Sequence, residues 1–142
     1  MRGPALAFLL LSSCAQTIAS VPAPSNQSTV LDVVRLALDY DAAGIPADSL
    51  YLANATVVRD GAEHDSGRRF AAVRDGGQIR ISNMTGDVNG PFAWAYVTYR
   101  WMSADGAFIE TARASIVLAQ SGGEWKIKHA HSSLMLPWQR DQ

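Results

Sequence analysis

The stretch Gly123-Glu124-Trp125-Lys126-Ile127-Lys128-His129-Ala130-His131-Ser132-Ser133 carries the period of two that marks a β-strand, with a glycine-bearing turn before it. Successive side chains of a strand point to opposite faces. Trp125, Ile127, His129, His131 and Ser133 therefore form one row, and Lys126, Lys128, Ala130 and Ser132 the other. Trp125 and Ile127 mark the first row as the inward one, so His129 and His131 are expected to continue an apolar row toward the open end of a bent sheet. Imidazoles in that position can bind a ligand, transfer a proton or ligate a metal. They can equally be hydrogen-bonded core histidines that perform no chemistry.

Working back from this strand, three more long strands separated by glycine-bearing turns are expected over Gln78 to Asn89, Phe92 to Ser103 and Ala107 to Gln120, with the last running Glu124 to Leu134. Their length exceeds the usual strand and predicts a strongly bent sheet wrapped around something. Three helices are expected to supply it. Thr29 with Asp32 makes a capping-box-like start, and Val30, Leu31, Val34, Ala37 and Leu38 recur at helical spacing up to Ala43, where Gly44 ends the helix. Pro46 opens a short second helix through Leu52. Ala55 to Arg59 is a short strand stopped by Asp60-Gly61, followed by a return strand around Glu63 to Ser66. Gly67 to Asp75 carries Phe70, Ala71, Val73 and Arg74 without alternation, which predicts a third helix.

The composition confines the whole to one core. Of 142 residues 48% are apolar and 18% charged, and mean hydropathy is zero. Net charge is −1 with no basic run, so nothing offers the phosphate-neutralising footprint of a nucleic-acid binder. No apolar stretch reaches the roughly 18 residues that a spanning helix needs. The N-terminus, however, reads as an export signal: Arg2, the apolar run Pro4 to Leu11, then Ser12-Ser13-Cys14. Leu11-Ser12-Ser13-Cys14 resembles a bacterial lipobox, which makes Cys14 a lipidation site and residues 1–13 a lipoprotein signal peptide; the alternative is ordinary cleavage after Ala15 or Ala19 and a secreted protein. Cys14 is the chain's one cysteine, so no intrachain disulfide can form. Residues 14–28, with Pro22 and Pro24, form a tether, 29–138 the domain and 139–142 a tail. The expected location is the cell envelope, lipid-anchored and facing the periplasm.

The order helix, short helix, strand, helix and long meander resembles the nuclear transport factor 2-like superfamily, also called SnoaL-like or ketosteroid-isomerase-like. Ala53-Asn54-Ala55-Thr56-Val57-Val58, Gly67-Arg68 and Tyr96-Val97-Thr98-Tyr99-Arg100-Trp101 are similar to recurrent segments of that group. Gly123 to Ser133 resembles the Gly-x-Trp-x-Ile-x-His-x-His-x-Ser ending of one SnoaL-like branch, shared in outline with the association domain of calcium/calmodulin-dependent kinase. The resemblance covers about residues 30 to 136. It implies an α+β, cone-shaped fold in which three N-terminal helices pack into a strongly bent antiparallel sheet, with a pocket at the open end and no cofactor.

Within that frame the candidate ligand-binding residues are Tyr40, Trp94, Tyr96, Arg113, His129 and His131. Arg113 resembles the arginine of the branch's Gly-Arg-Ala-x-Val-Val pattern and could clamp a carboxylate or make a surface ion pair. Trp94 with Tyr96 and Tyr99 with Trp101 lie on opposite faces of one strand, so one pair is expected to line the cavity and the other the outer sheet or a dimer contact. Asp60, His129 and His131 are the acid-base candidates for an isomerase, cyclase or lyase. Asp60 before Gly61 is also an ordinary turn aspartate. Steroid isomerisation is disfavoured, because Leu36 stands where the helix-one tyrosine of ketosteroid isomerase would be and Asp60 falls one residue past the base. His-x-His with Asp60 or His64 offers no third ligand at a telling spacing, and no metal is expected. Ser132 and Ser133 lack a glycine elbow, which removes nucleophilic catalysis. The expectation is a domain that binds a small, partly apolar ligand and pairs as a homodimer through the outer sheet face, with a pure assembly module as another reading.

Overall fold

Val30, Val34, Ala37, Leu38, Asp41 and Ala42 are the buried positions of helix α1 (Asn26–Ala43), spaced so that one face of the helix meets the sheet. The computed structural model describes residues 26–64 and 69–139. The helix begins at Asn26 rather than Thr29 and ends as expected at Gly44, whose φ of 67° lets the Ile45 N–H donate to the Tyr40 carbonyl at 2.9 Å, the bond that closes a Schellman cap. At its other end the Gln27 side chain donates to the Gly86 carbonyl at 2.7 Å.

The second expected helix is a single 3-10 turn at Asp48–Leu50. Tyr51 and Leu52, assigned to it by pattern, belong instead to strand β1 (Tyr51–Arg59), because Tyr51 pairs with Ile127. Asp60-Gly61, with φ of 51° and 82°, turns β1 into the short β2 (Ala62–Glu63). Strands β3 (Gln78–Asn89), β4 (Phe92–Met102), β5 (Ile109–Ser121) and β6 (Glu124–Leu134) complete a six-stranded sheet of order β2-β1-β6-β5-β4-β3. All pairings are antiparallel except β1 with β6, which is parallel. The result is an α+β fold in which α1, the one α-helix among the described residues, lies on one face of a curved sheet. Tyr99, Phe70, Leu38, Ile116, Leu118 and Ile127 are the largest fully buried side chains between the layers.

Residues 69–77 contain no helix, so among the described residues the three-helix expectation is corrected to one α-helix. Phe70, Ala71 and Val73 are buried as expected, but their backbone is held from outside. The Asp41 carboxylate accepts the Arg69 N–H at 3.0 and 2.9 Å and the Phe70 N–H at 2.8 Å. Ser132 Oγ accepts the Ala71 N–H at 2.9 Å, the Tyr99 hydroxyl donates to the Ala71 carbonyl at 2.7 Å, and the Trp101 indole donates to the Arg74 carbonyl at 2.9 Å. Every buried backbone group needs a partner, and here side chains of α1, β4 and β6 supply what a helix would have supplied internally. Phe70 then meets Tyr99 edge-on, with ring centroids 6.3 Å apart.

Candidate functional site

The histidine row is reversed by one residue. Val117 pairs with His129 and Leu118 with Ile127, which leaves Lys128 as the extra residue of a β-bulge. Past a bulge the alternation resumes out of phase. Trp125 and Ile127 face the core as expected, but the next buried residues are Ala130 and Ser132, while His129 is half-buried and His131 exposed. Both histidines stand on the outer face of the sheet.

That face gathers most of the residues singled out from sequence. One cross-strand rung reads Thr56, His129, Val117, Trp94 and Asp87, and the next reads Val58, His131, Ser115, Tyr96 and Thr85. Arg113 follows between Thr98 and Ser133. Tyr99 and Trp101 form the inner pair of β4, and Trp94 and Tyr96 the outer pair. Tyr40 is half-buried on α1, packed against the core. Asp60 is exposed in the turn before β2, and its carboxylate accepts the Leu134 N–H at 3.0 Å. Cys14, the signal peptide, Gly67-Arg68 and residues 140–142 lie outside the described residues. Among the described residues no three His, Cys, Asp or Glu side chains come together to hold a metal ion, and no helix is long and apolar enough to cross a membrane.

A cavity of about 160 Å³ opens instead beside β1. Alternate residues of that strand, Tyr51, Ala53, Ala55 and Val57, contribute one side of it together with Leu52. Asp48 enters from the 3-10 turn, His64 from the end of β2, and Arg69 from the segment fixed by Asp41. The site exists at this edge because, among the described residues, β2 pairs only with Val58 and Arg59, leaving the earlier part of β1 with β6 as its one described sheet neighbour.

Arg69 is the chemically distinctive member. Its side chain is 10% exposed, ion-paired with Asp48, and its guanidinium lies 4.1 Å from the centre of the Tyr51 ring, a stacking geometry that arginine favours. Tyr51 is 8% exposed, and its buried hydroxyl has no hydrogen-bond partner among the described residues. Burial pushes the Tyr51 phenol well above its ordinary value, with the Arg69 charge opposing, so the hydroxyl stays a neutral donor. His64 Nδ1 sits 3.5 Å from the Arg59 guanidinium.

Sequence reasoning missed Asp48, Tyr51 and Arg69. One signal was present: Asp41 falls on the apolar stripe of α1, three residues after Leu38 and seven after Val34, and a carboxylate on a buried stripe implies donors waiting for it.

Comparison with known proteins agrees with this architecture. A family model described as the SnoaL-like domain matches residues 45–137. Among solved structures, an NTF2-like protein of Pseudomonas putida superimposes with a TM-score of 0.61 at 14% identity, covering 82% of this chain and 91% of that one. A protein with a cystatin-like fold from Caulobacter vibrioides gives 0.60 at 12% identity over 80% and 92%. The association domain of C. elegans CaMKII gives 0.57 at 16% identity over 75% and 93%. At these identities the likeness concerns the fold alone, and no curated protein matches the sequence significantly. The match to the family runs from the residue after Gly44 through the whole sheet, and on that ground the chain belongs to the SnoaL-like domain family.

Proposed function

We propose that this chain is an exported, lipid-anchored envelope protein whose SnoaL-like domain binds a small, partly apolar ligand in the cavity beside β1. The observation that carries the reading is the nearly buried Arg69 guanidinium in a cavity where Leu52, Ala53, Ala55 and Val57 form an aliphatic wall and Asp48, Tyr51 and His64 complete the lining. A concave site that sets an apolar wall against a few oriented polar groups is the usual form of a small-molecule site. The acid-base candidates Asp60, His129 and His131 do not line this cavity, whereas Asp48, Tyr51 and His64 do.

The second element is self-association. Phe92 and Trp94 are 51% and 49% exposed on the outer face, beside Val117 and the half-buried Tyr96 and His129. An apolar patch on a sheet face suits a two-fold contact between copies. The likeness to an association domain supports the same reading. Native mass spectrometry of protein extracted from its host's membranes tests all three parts. The expected species is a dimer of chains beginning at a lipidated Cys14, carrying a small ligand. A ligand-free, unlipidated monomer overturns the proposal.

A further inference from the structure

We infer that the cavity beside β1 is a carboxylate site, taking a short aliphatic monocarboxylate whose head group displaces Asp48 from Arg69; this rests on the ligand-binding reading above.

The asymmetry of the ion pair is the first ground. The Arg69 side chain is 10% exposed while that of Asp48 is 80% exposed. A carboxylate that is mostly solvated gains little from such a pair and is released at small cost. A guanidinium presents five N–H donors in a planar fork, and Asp48 is the one acceptor that the Arg69 side chain meets among the described residues. Withdrawing a guanidinium from water is unfavourable unless its donors find acceptors. The ligand group that satisfies it best is a planar two-oxygen anion.

The second ground is Tyr51. Its ring faces the guanidinium and fixes the plane in which a fork can be received. Its hydroxyl is a buried donor lacking an acceptor among the described residues. A buried, unpaired hydroxyl is a deficit in the fold, and an ionised carboxylate, which only accepts, removes it. A ligand amide or alcohol would leave Arg69 facing a weaker acceptor.

The remaining wall sets the body of the ligand. Leu52, Ala53, Ala55 and Val57 are aliphatic, and the Tyr51 ring is already covered by Arg69. The volume of about 160 Å³ has room for roughly five waters at ~30 Å³ each. A short unbranched chain fits a space of this size. Trp94 and Tyr96, expected to line the ligand site, contribute nothing to this wall, because they stand on the other face of the sheet.

Calorimetric titration of the full chain with butyrate, butyramide and inorganic phosphate tests the assignment. Butyrate is expected to bind at least tenfold more tightly than butyramide or phosphate. Asp48→Asn, which removes the competing carboxylate at an exposed position, is expected to tighten butyrate several-fold. Tyr51→Phe is expected to weaken butyrate several-fold without lowering the melting temperature, an outcome that a merely structural tyrosine would not give. Arg69→Gln is expected to abolish the preference for butyrate over butyramide. Equal binding of butyrate and butyramide, unmoved by Asp48→Asn, overturns the carboxylate class while leaving a ligand cavity in place; tighter phosphate binding overturns it in favour of a tetrahedral anion. Binding of none of the three overturns both this inference and the ligand-binding reading.

Discussion

Asp41→Ala removes the group that holds Arg69 in place, and the cost can be worked from the hydrogen bonds. The buried carboxylate accepts two backbone N–H groups, of Arg69 and Phe70, at 2.8 to 3.0 Å. Alanine leaves both amides without that acceptor. A buried donor left unsatisfied costs about 1–3 kcal/mol, at the higher end where the lost partner was charged. The sum is about 3–5 kcal/mol, a large part of the stability of a domain this size, and corresponds to a fall in Tm of roughly 10–20 °C. Asp41→Asn keeps one acceptor oxygen and should cost less. Ser132→Ala removes the acceptor of the Ala71 N–H and a long, 3.4 Å donation to the Arg69 carbonyl, and should cost about 1–2 kcal/mol. Because both side chains hold residues 69–71, the double variant should lose less than the sum. Urea denaturation measures the energies, and hydrogen exchange at the Arg69 and Phe70 amides measures the mechanism. An Asp41→Ala variant within 1 kcal/mol of the parent, with those amides equally protected, would refute the reasoning.

Three further outcomes follow from other parts of the molecule. A Cβ on Gly77 would lie 2.2 Å from the Trp101 ring, and the indole is tied to the Arg74 carbonyl; Gly77→Ala should therefore cost about 1–3 kcal/mol in urea denaturation, and an unchanged midpoint would contradict the packing. Burial raises the Tyr51 and Tyr99 phenols above their ordinary value near 10. Their neutral forms favour the fold, so stability should be full below pH 10 and decline above it by up to ~1.4 kcal/mol per pH unit for each phenol; flat stability between pH 9 and 11 would contradict this. Phe92→Asp with Trp94→Asp should convert a dimer to a monomer in light scattering over a dilution series, while a parent chain already monomeric at high micromolar concentration would count against the outer-face contact.

The long strands were legible because their alternation is local: β3 and β6 have the bounds that pattern alone assigns. The third helix was not. Phe70, Ala71, Val73 and Arg74 satisfy helical spacing, yet the partners of that backbone are Asp41, Tyr99, Trp101 and Ser132, 27 to 61 residues away, and local spacing carries no record of them. The same limit displaced the site. The bulge at Lys128 arises from the pairing of β6 with β5, and one inserted residue moves His129 and His131 to the opposite face. The candidates on Arg113, Trp94, Tyr96 and the histidines were thus gathered on one surface, but the outer one, whereas the cavity draws on Tyr51 and Arg69, which propensity assigned to helices.

The central claim, that the ligand meets Arg69 beside β1, is tested most directly by following the Arg69 Nε–H resonance and the backbone amides in NMR while butyrate is added. Saturable shifts at the Arg69 side chain and at amides 51–57, with the outer-face residues Arg113, His129 and His131 unmoved, are the predicted result. Shifts confined to Arg113, His129 and His131, with Arg69 silent, would contradict the account and return the site to the outer face of the sheet.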